Sequence, residues 1–483
     1  PGIVFDETRP NVNYWEPWYL GYDRDFDRPR GVPNEERPRT GPYKTMIETG
    51  RDLHELHALI APRPFLVSGG AEDRPERWQA LNRLVEVNEF LGYSNRVAMT
   101  NREGHAPTAE SNEQLYAFFE YFLKPEGDAS AESAGMVFPG DEWQVASPES
   151  QGVDSEKLQA AMDYLIENSG SDGVGEALVI RNGRLIWQGD NIDKQHGVWS
   201  LTKSFTSTCF GLLVDDEKVT VETRAAEFVP ALAEDYSKVT LRHFTTMTSG
   251  YRAVGDEPRG GYVHGPSQTP FKPSPDPLFA PGTMYAYWDS AMNEFAHVLT
   301  QAAGEPLEDL LERCIADPIG MNREKWAWGD FGEIKGIVVN GGSGNNNKHM
   351  MISARELARF GHLFLNRGNW NGRQLISPEW VDRATTAHVA ASLSLHERSG
   401  ADGRGVYGFN WWVNGVRANG QRKWPGIPTS AYAASGYNNN DMFVIPDWNM
   451  VVVRLGLDQR DKAIGDSTYA RFLEMIGEAI EKE

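Results

Sequence analysis

Two stretches far apart in the chain read as the same kind of structure. "ALVIRNGRLIWQG", residues 177–189, is a pair of apolar strands around Asn182-Gly183, a dipeptide suited to a two-residue hairpin turn. "MFVIPDWNMVVVRLG", residues 442–456, is another strand pair around Asp447-Trp448-Asn449. A helix precedes the first hairpin, with Leu158, Ala161, Met162, Leu165 and Ile166 on one face and Asp154 as its N-cap. A helix follows the second, with Tyr469, Phe472, Leu473, Ile476 and Ile480 on one stripe. Helix and hairpin first, hairpin and helix last, predict one antiparallel sheet built from both ends of residues 151–483. The terminal helices flank it, and a helical region is inserted between the two halves.

The first 124 residues follow another rhythm. Pro64–Val67 is a short apolar strand ending at a Gly-Gly turn, with Glu72 and Asp73 just behind it. A helix follows, carrying Leu81, Leu84, Val85 and Val87 and stopping at Gly92. "NRVAMTNREGHAP" is a second strand ending in a loop with His105, and "EQLYAFFEYFLK" is a last amphipathic helix. Strand, helix, strand, helix predicts a parallel α/β layer. Residues 125–150 lack periodicity and are rich in Ser, Ala, Glu, Gly and Pro, which predicts a linker. The expected organisation is thus an α/β domain at 1–124, a linker at 125–150 and an α+β domain at 151–483.

With 483 residues, two or three domains are the starting expectation. A formal charge of −21 argues against nucleic acid, which needs clustered cations, and against an anionic membrane surface. No run of 18 apolar residues suits a membrane span. Cys209 and Cys314 are too few for a disulfide framework or a Cys-rich zinc site. The chain opens at Pro1 without signal peptide or initiator Met, and a mature, trimmed or truncated form is expected. His54 and His57 share a helix face, but no third ligand is evident, so no metal and no cofactor are expected.

Three stretches carry chemistry. In "VWSLTKSFTS", Ser200 and Lys203 stand three apart at the start of a helix, so both face the same way. Lys203 can then hydrogen-bond the Ser200 hydroxyl, and a serine needs such a base to become a nucleophile. On its own this spacing occurs in many ordinary helices. In "FAPGTMYAYWDSAMNEFAHVL" a Pro-Gly turn leads to Tyr285, Tyr287 and Asp289, and a tyrosine near a lysine can shuttle protons. In "AYAASGYNNNDMFVIP" a strand meets Ser435-Gly436, followed by Tyr437 and three asparagines. The glycine permits close approach to a ligand, and a free strand N–H can hold an oxyanion.

With "LRHFTTMTSGY" and "DPIGM" between them, these stretches give residues 150–483 a resemblance to the serine β-lactamase and penicillin-binding-protein-like hydrolases. The closest branch is the class C-related one, with its carboxylesterases, D-aminopeptidases and 6-aminohexanoate-dimer hydrolases. The resemblance implies that Ser200 is acylated, Lys203 is its base partner and Tyr287 passes protons to the leaving group. Ala434-Ser435-Gly436 falls on the Lys-Thr-Gly element, and the N–H groups of Ser200 and Tyr437 would form the oxyanion hole. Two positions depart from the pattern. Asp289 replaces the Asn of Tyr-x-Asn, and a carboxylate there opposes loss of a proton from Lys203. Ala434 replaces the lysine that helps bind the carboxylate of β-lactams, which favours an ester or a neutral amide. The implied function is ester hydrolysis through an acyl-enzyme on Ser200, acting on a small-molecule substrate. The alternatives are amide or peptide hydrolysis, of D-aminopeptidase or oligoamide-hydrolase type, and a degenerate penicillin-binding-like binding module. By resemblance the location would be extracytoplasmic, periplasmic or secreted.

"VNYWEPWYLG", "DLHELHALIAPRPFLVSGG" and "NREGHAP" give residues 1–124 a resemblance to the C-terminal half of a glucuronoyl-esterase-like α/β-hydrolase. It implies Asp73 or Glu72 as the acid and His105 as the histidine of a triad. The chain has no G-x-S-x-G elbow, so this half is expected to be vestigial. It would be a remnant, a structural cover, or one half of a site completed by a missing N-terminal half or by a second copy. Of Trp326, Trp328, Trp370, Trp411, Trp412 and Trp424, most are expected in the core and some in an acyl or sugar pocket.

Overall fold

The computed structural model describes residues 45, 48–51, 53–69, 78–79, 81–93, 96–104, 106–123, 136–256, 270–344 and 347–481. The chain forms two compact units, Pro1–Ala134 and Gly135–Glu483. In the first, helix α1 (Leu53–Ala58) precedes strand β1 (Phe65–Ser68), helix α2 (Asn82–Phe90), strand β2 (Val97–Thr100) and helix α3 (Ala109–Leu123). β1 and β2 pair in parallel, Phe65 against Val97 through Ser68 against Thr100. Parallel neighbours need a crossover connection, and α2 supplies it. Leu81 and Leu84 are fully buried, with Phe65, Val67, Val97 and Met99 packed around Leu81.

The second unit opens with helix α4 (Ser155–Glu167), capped by Asp154, whose side chain accepts from the Lys157 N–H. Strands β3 (Glu176–Arg181) and β4 (Arg184–Gln188) follow. Asn182 and Gly183 both take positive φ, 50° and 75°, as a two-residue hairpin turn of this kind requires. Helix α5 (Thr202–Asp215), helix α6 (Asp289–Ala303) and helix α7 (Ala354–Leu365) occupy the middle. The chain then returns to the sheet with β5 (Trp412–Val413), β6 (Tyr432–Gly436), β7 (Asn440–Ile445) and β8 (Met450–Leu455), and ends in helix α8 (Asp466–Ala479).

The six strands run in the order β5-β6-β7-β8-β3-β4, every neighbour antiparallel. The two hairpins, distant in sequence, meet at the β8–β3 ladder, which pairs Val452 with Val179. Alternate residues face opposite layers, as strand geometry dictates. Val179, Phe443, Ile445 and Val452 pack on α4 and α8, while Leu178, Ile180, Met442, Val451 and Val453 join the larger core with Leu357 and Phe360 of α7. Both faces are covered, so the strands read as continuous apolar runs. Ile166 departs from its expected place and is 46% exposed, one position beyond the buried stripe that ends at Leu165.

The linker expected at 125–150 does not extend to its second half. The Val137 N–H donates to the Asn182 carbonyl, Val145 bridges Leu185, and Trp143 is buried in the larger core. The buried Arg359 guanidinium donates to the carbonyls of Gly140 and Asp141. Composition suggested a linker because much of this attachment uses backbone groups, which leave no periodic apolar signal.

Candidate active site

Ser200 and Lys203 lie where the chain enters its first central helix. A 3₁₀ turn, Trp199–Leu201, runs directly into α5. Trp199 has φ +45°, left-handed backbone that a bulky residue adopts only when its surroundings impose it. Its ring stacks on His349 at 5.0 Å and meets the Tyr437 ring edge-on at 5.9 Å. Gly344 packs against the same turn so closely that a Cβ there would lie 2.8 Å from the Ser200 backbone nitrogen.

Lys203 is 1% exposed. Its Nζ donates to Ser200 Oγ at 2.7 Å, to Asp289 Oδ1 at 2.9 Å and to Ser343 Oγ at 2.9 Å. An ammonium has three donors, and each has an acceptor here. Asp289 is the first residue of α6, where the helix N-terminus favours a carboxylate. The Ser343 hydroxyl donates to the same Asp289 Oδ1. The buried charges are therefore paired and hydrogen-bonded, the condition under which an interior ion pair is tolerated. Tyr287 lays its ring face 4.5 Å from Lys203 Nζ and stacks on Trp412 at 6.0 Å.

Two of these groups border a cavity of about 460 Å³. Ser200 and Tyr287 line it, and so do Ser435, Gly436 and Tyr437. The first and third stretches meet because β6 runs past the Trp199–Leu201 turn. A Cβ on Gly436 would lie 2.0 Å from the Val198 carbonyl oxygen, so the glycine admits the protein's own backbone. The asparagines after Tyr437 serve the turn. Asn438 and Asn439 take φ of 67° and 61°, Asn439 Nδ2 donates to Asp458 at 2.9 Å, and Asn440 Nδ2 donates to the Tyr437 carbonyl at 2.5 Å. Ala434 faces the larger core, fully buried.

Ala434 does not leave the cavity without cations. Lys423 and Arg417 line it, and both donate to Asp466 at 2.6 Å. Burial pushes the Lys423 amine below its usual range, opposed by Asp466. Asp441, opposite Ser435 in the β6–β7 ladder, also lines the cavity, and burial pushes its carboxyl up to about 6. Of the tryptophans, Trp412 borders the cavity, while Trp326, Trp328, Trp370, Trp411 and Trp424 are buried in the cores.

Ser343, Lys423 and Asp441 escaped sequence reasoning. For Ser343 a signal existed in "GGSG", residues 341–344, where glycines mark tight backbone approach. Lys423 and Asp441 carry none, since only the tertiary fold turns them to the cavity. Glu72, Asp73 and His105 lie outside the described residues. His57 packs on Phe65, ring centroids 5.2 Å apart. Among the described residues no group of three His, Cys, Asp or Glu side chains is placed to hold a metal ion, and no helix is long and apolar enough to cross a membrane.

Several of the proteins that this chain is similar to are named as hydrolases. The D-alanyl-D-alanine-carboxypeptidase/endopeptidase AmpH of Escherichia coli is 26% identical over 181 residues, 33% of this chain and 46% of that one. A family VIII carboxylesterase structure superposes with a TM-score of 0.52 at 15% identity, covering 70% of this chain and 99% of its own. EstCE1, a hydrolase with promiscuous acyltransferase activity, gives a TM-score of 0.50 at 15% identity, with 69% and 99% covered. At such identities the structural likeness speaks for the fold alone. The sequence itself matches the beta-lactamase family model over residues 158–468, and the chain belongs to that family.

Proposed function

We propose that this hydrolase cleaves carboxylic esters through an acyl-enzyme on Ser200. The observation that carries the reading is the buried Lys203 Nζ, 2.7 Å from Ser200 Oγ at the wall of a substrate-sized cavity. In this reading Lys203, in its neutral form, takes the Ser200 proton as Oγ bonds to the ester carbonyl carbon. The carbonyl oxygen becomes an oxyanion, held by the N–H groups of Ser200 and Tyr437. The intermediate collapses, the C–O bond to the alcohol breaks, and the alcohol leaves with the proton from Lys203, assisted by Tyr287. Water then attacks the acyl-Ser200, gives a proton to Lys203 and releases the acid, while Ser200 regains its proton.

A second reading, hydrolysis of an amide bearing a carboxylate, draws support from Lys423 and Arg417. They put cations on the cavity wall although position 434 is alanine. For the first unit, the parallel β1–β2 pair with its α2 crossover supports a partial α/β-hydrolase-like segment without a nucleophile.

Intact-mass spectrometry after fluorophosphonate treatment tests the reading. The wild type is expected to gain one adduct and Ser200→Ala none. A folded wild type that stays unlabelled removes the acyl-enzyme and leaves a binding module. Neutral short-chain esters against carboxylate-bearing amides then separate the two substrate classes.

A further inference from the structure

Ser343 has no role in the serine-lysine chemistry described above, yet it is fully buried and its hydroxyl reaches the centre of the site. It comes from a loop 140 residues after Lys203 in the sequence. That loop is wedged against the catalytic elements. A Cβ at Gly342 would lie 2.0 Å from the Met292 carbonyl of α6, and the Gly342 N–H donates to Asn293 Oδ1 at 3.1 Å. Gly344, on the other side of Ser343, abuts the Ser200 backbone. Glycine on both sides lets the loop come close enough for one hydroxyl to reach Lys203.

Resting on the acyl-enzyme reading, we infer that Ser343 is a positioning residue that aims the lone pair of Lys203 at Ser200. A tetrahedral amine has four directions, one of them the side chain. Asp289 Oδ1 and Ser343 Oγ each accept one N–H, at 2.9 Å. The remaining direction points to Ser200 Oγ, 2.7 Å away. When the ammonium gives one proton to solvent, two N–H bonds stay anchored on Asp289 and Ser343. The vacated position is then the lone pair, already directed at the Ser200 hydroxyl. Without Ser343 a single anchor remains, and the amine turns about its Cε–Nζ bond among orientations of which only some are productive. The Ser343 hydroxyl also fixes Asp289, since it donates to the oxygen that receives Lys203. General-base catalysis depends on such geometry before it depends on basicity.

The experiment is a double-mutant cycle on the rate at which a fluorophosphonate phosphonylates Ser200 with loss of fluoride, the model for acylation, with folding checked by thermal melts. Ser343→Ala is expected to slow acylation by about 10- to 100-fold in the wild-type background. In a Lys203→Ala background, where no amine is left to aim, it should change the rate by less than about twofold. Ser343→Thr keeps the oxygen and should stay within about threefold of wild type, a readout that serves even where the Lys203→Ala rate is too slow to follow. Equal losses in both backgrounds, or no rescue by threonine in a variant that melts like the wild type, would overturn the positioning role. A wild type that takes no label sinks the acyl-enzyme reading and this inference together. A labelled wild type with an unaffected Ser343→Ala sinks only this inference.

Discussion

Replacing Asp289 by Asn changes one carboxylate oxygen into an amide nitrogen at almost constant volume, and it should make stability depend on pH in a new way. In the wild type Lys203 and Asp289 are 1% and 5% exposed and paired at 2.9 Å. In the Asn variant Lys203 has lost its counter-charge. Leaving a buried charge unpaired costs about 3–5 kcal/mol. Stripping the proton from an ordinary lysine at pH 7 costs about 4–5 kcal/mol, from a reference value near 10.4 and about 1.4 kcal/mol per unit. The two routes cost about the same at pH 7, and the neutral route becomes cheaper as pH rises. The unfolded chain then binds one more proton than the folded one, so stability rises with pH. The variant should lie about 3–5 kcal/mol below wild type at pH 7 and regain roughly 2–3 kcal/mol of that by pH 9. Urea unfolding followed by tryptophan fluorescence at pH 7, 8 and 9 reads the difference directly. Wild-type and variant curves that stay parallel would refute the reasoning, because Lys203 would then hold the same charge in both proteins.

Two further outcomes follow from particular contacts. Gly436→Ala places a Cβ 2.0 Å from the Val198 carbonyl, a backbone atom that cannot swing aside; fluorophosphonate labelling of Ser200 should fall by at least about tenfold through displacement of the Trp199–Leu201 turn, and an unchanged rate in a labelling time course would show that β6 does not set the position of that turn. His362 is fully buried, its Nε2 3.0 Å from the Val137 carbonyl, and burial pushes its imidazole down to about 4. The unfolded chain therefore binds the extra proton between about pH 6.5 and 4, and stability falls by roughly 3 kcal/mol as pH drops through that window. Acid titration of His362→Gln should lack this share of the loss, and an identical acid limb would assign the loss to other groups.

The parts of the molecule that were legible in the sequence are those written in local spacing. Asn182-Gly183 between apolar runs marked a hairpin, and Asp154 marked a helix start, because turn and cap chemistry act over two to four residues. Ser200 and Lys203 were legible as a pair because one helical turn brings them together. Ser343 was marked only by its flanking glycines and Lys423 by nothing, since their approach to the site depends on loops whose course is set by the packing of whole elements. Ala434 marks the loss of the motif's lysine, but not that the cavity takes Lys423 and Arg417 from the segment before β6. Residues 136–150 hid their attachment because backbone groups, common to every residue, make much of it.

The pairing of β3 with β8 also has a consequence in time. Val179 cannot meet Val452 until the ribosome has made the 273 residues that separate them, which takes on the order of 14–55 s at ordinary rates of synthesis. Through that interval β3 and β4 exist only as a lone hairpin, marginal in water. β6, which presses Gly436 against the Trp199–Leu201 turn, is made only in that interval's last seconds. The serine and its lysine thus emerge long before the strand that completes the wall around them.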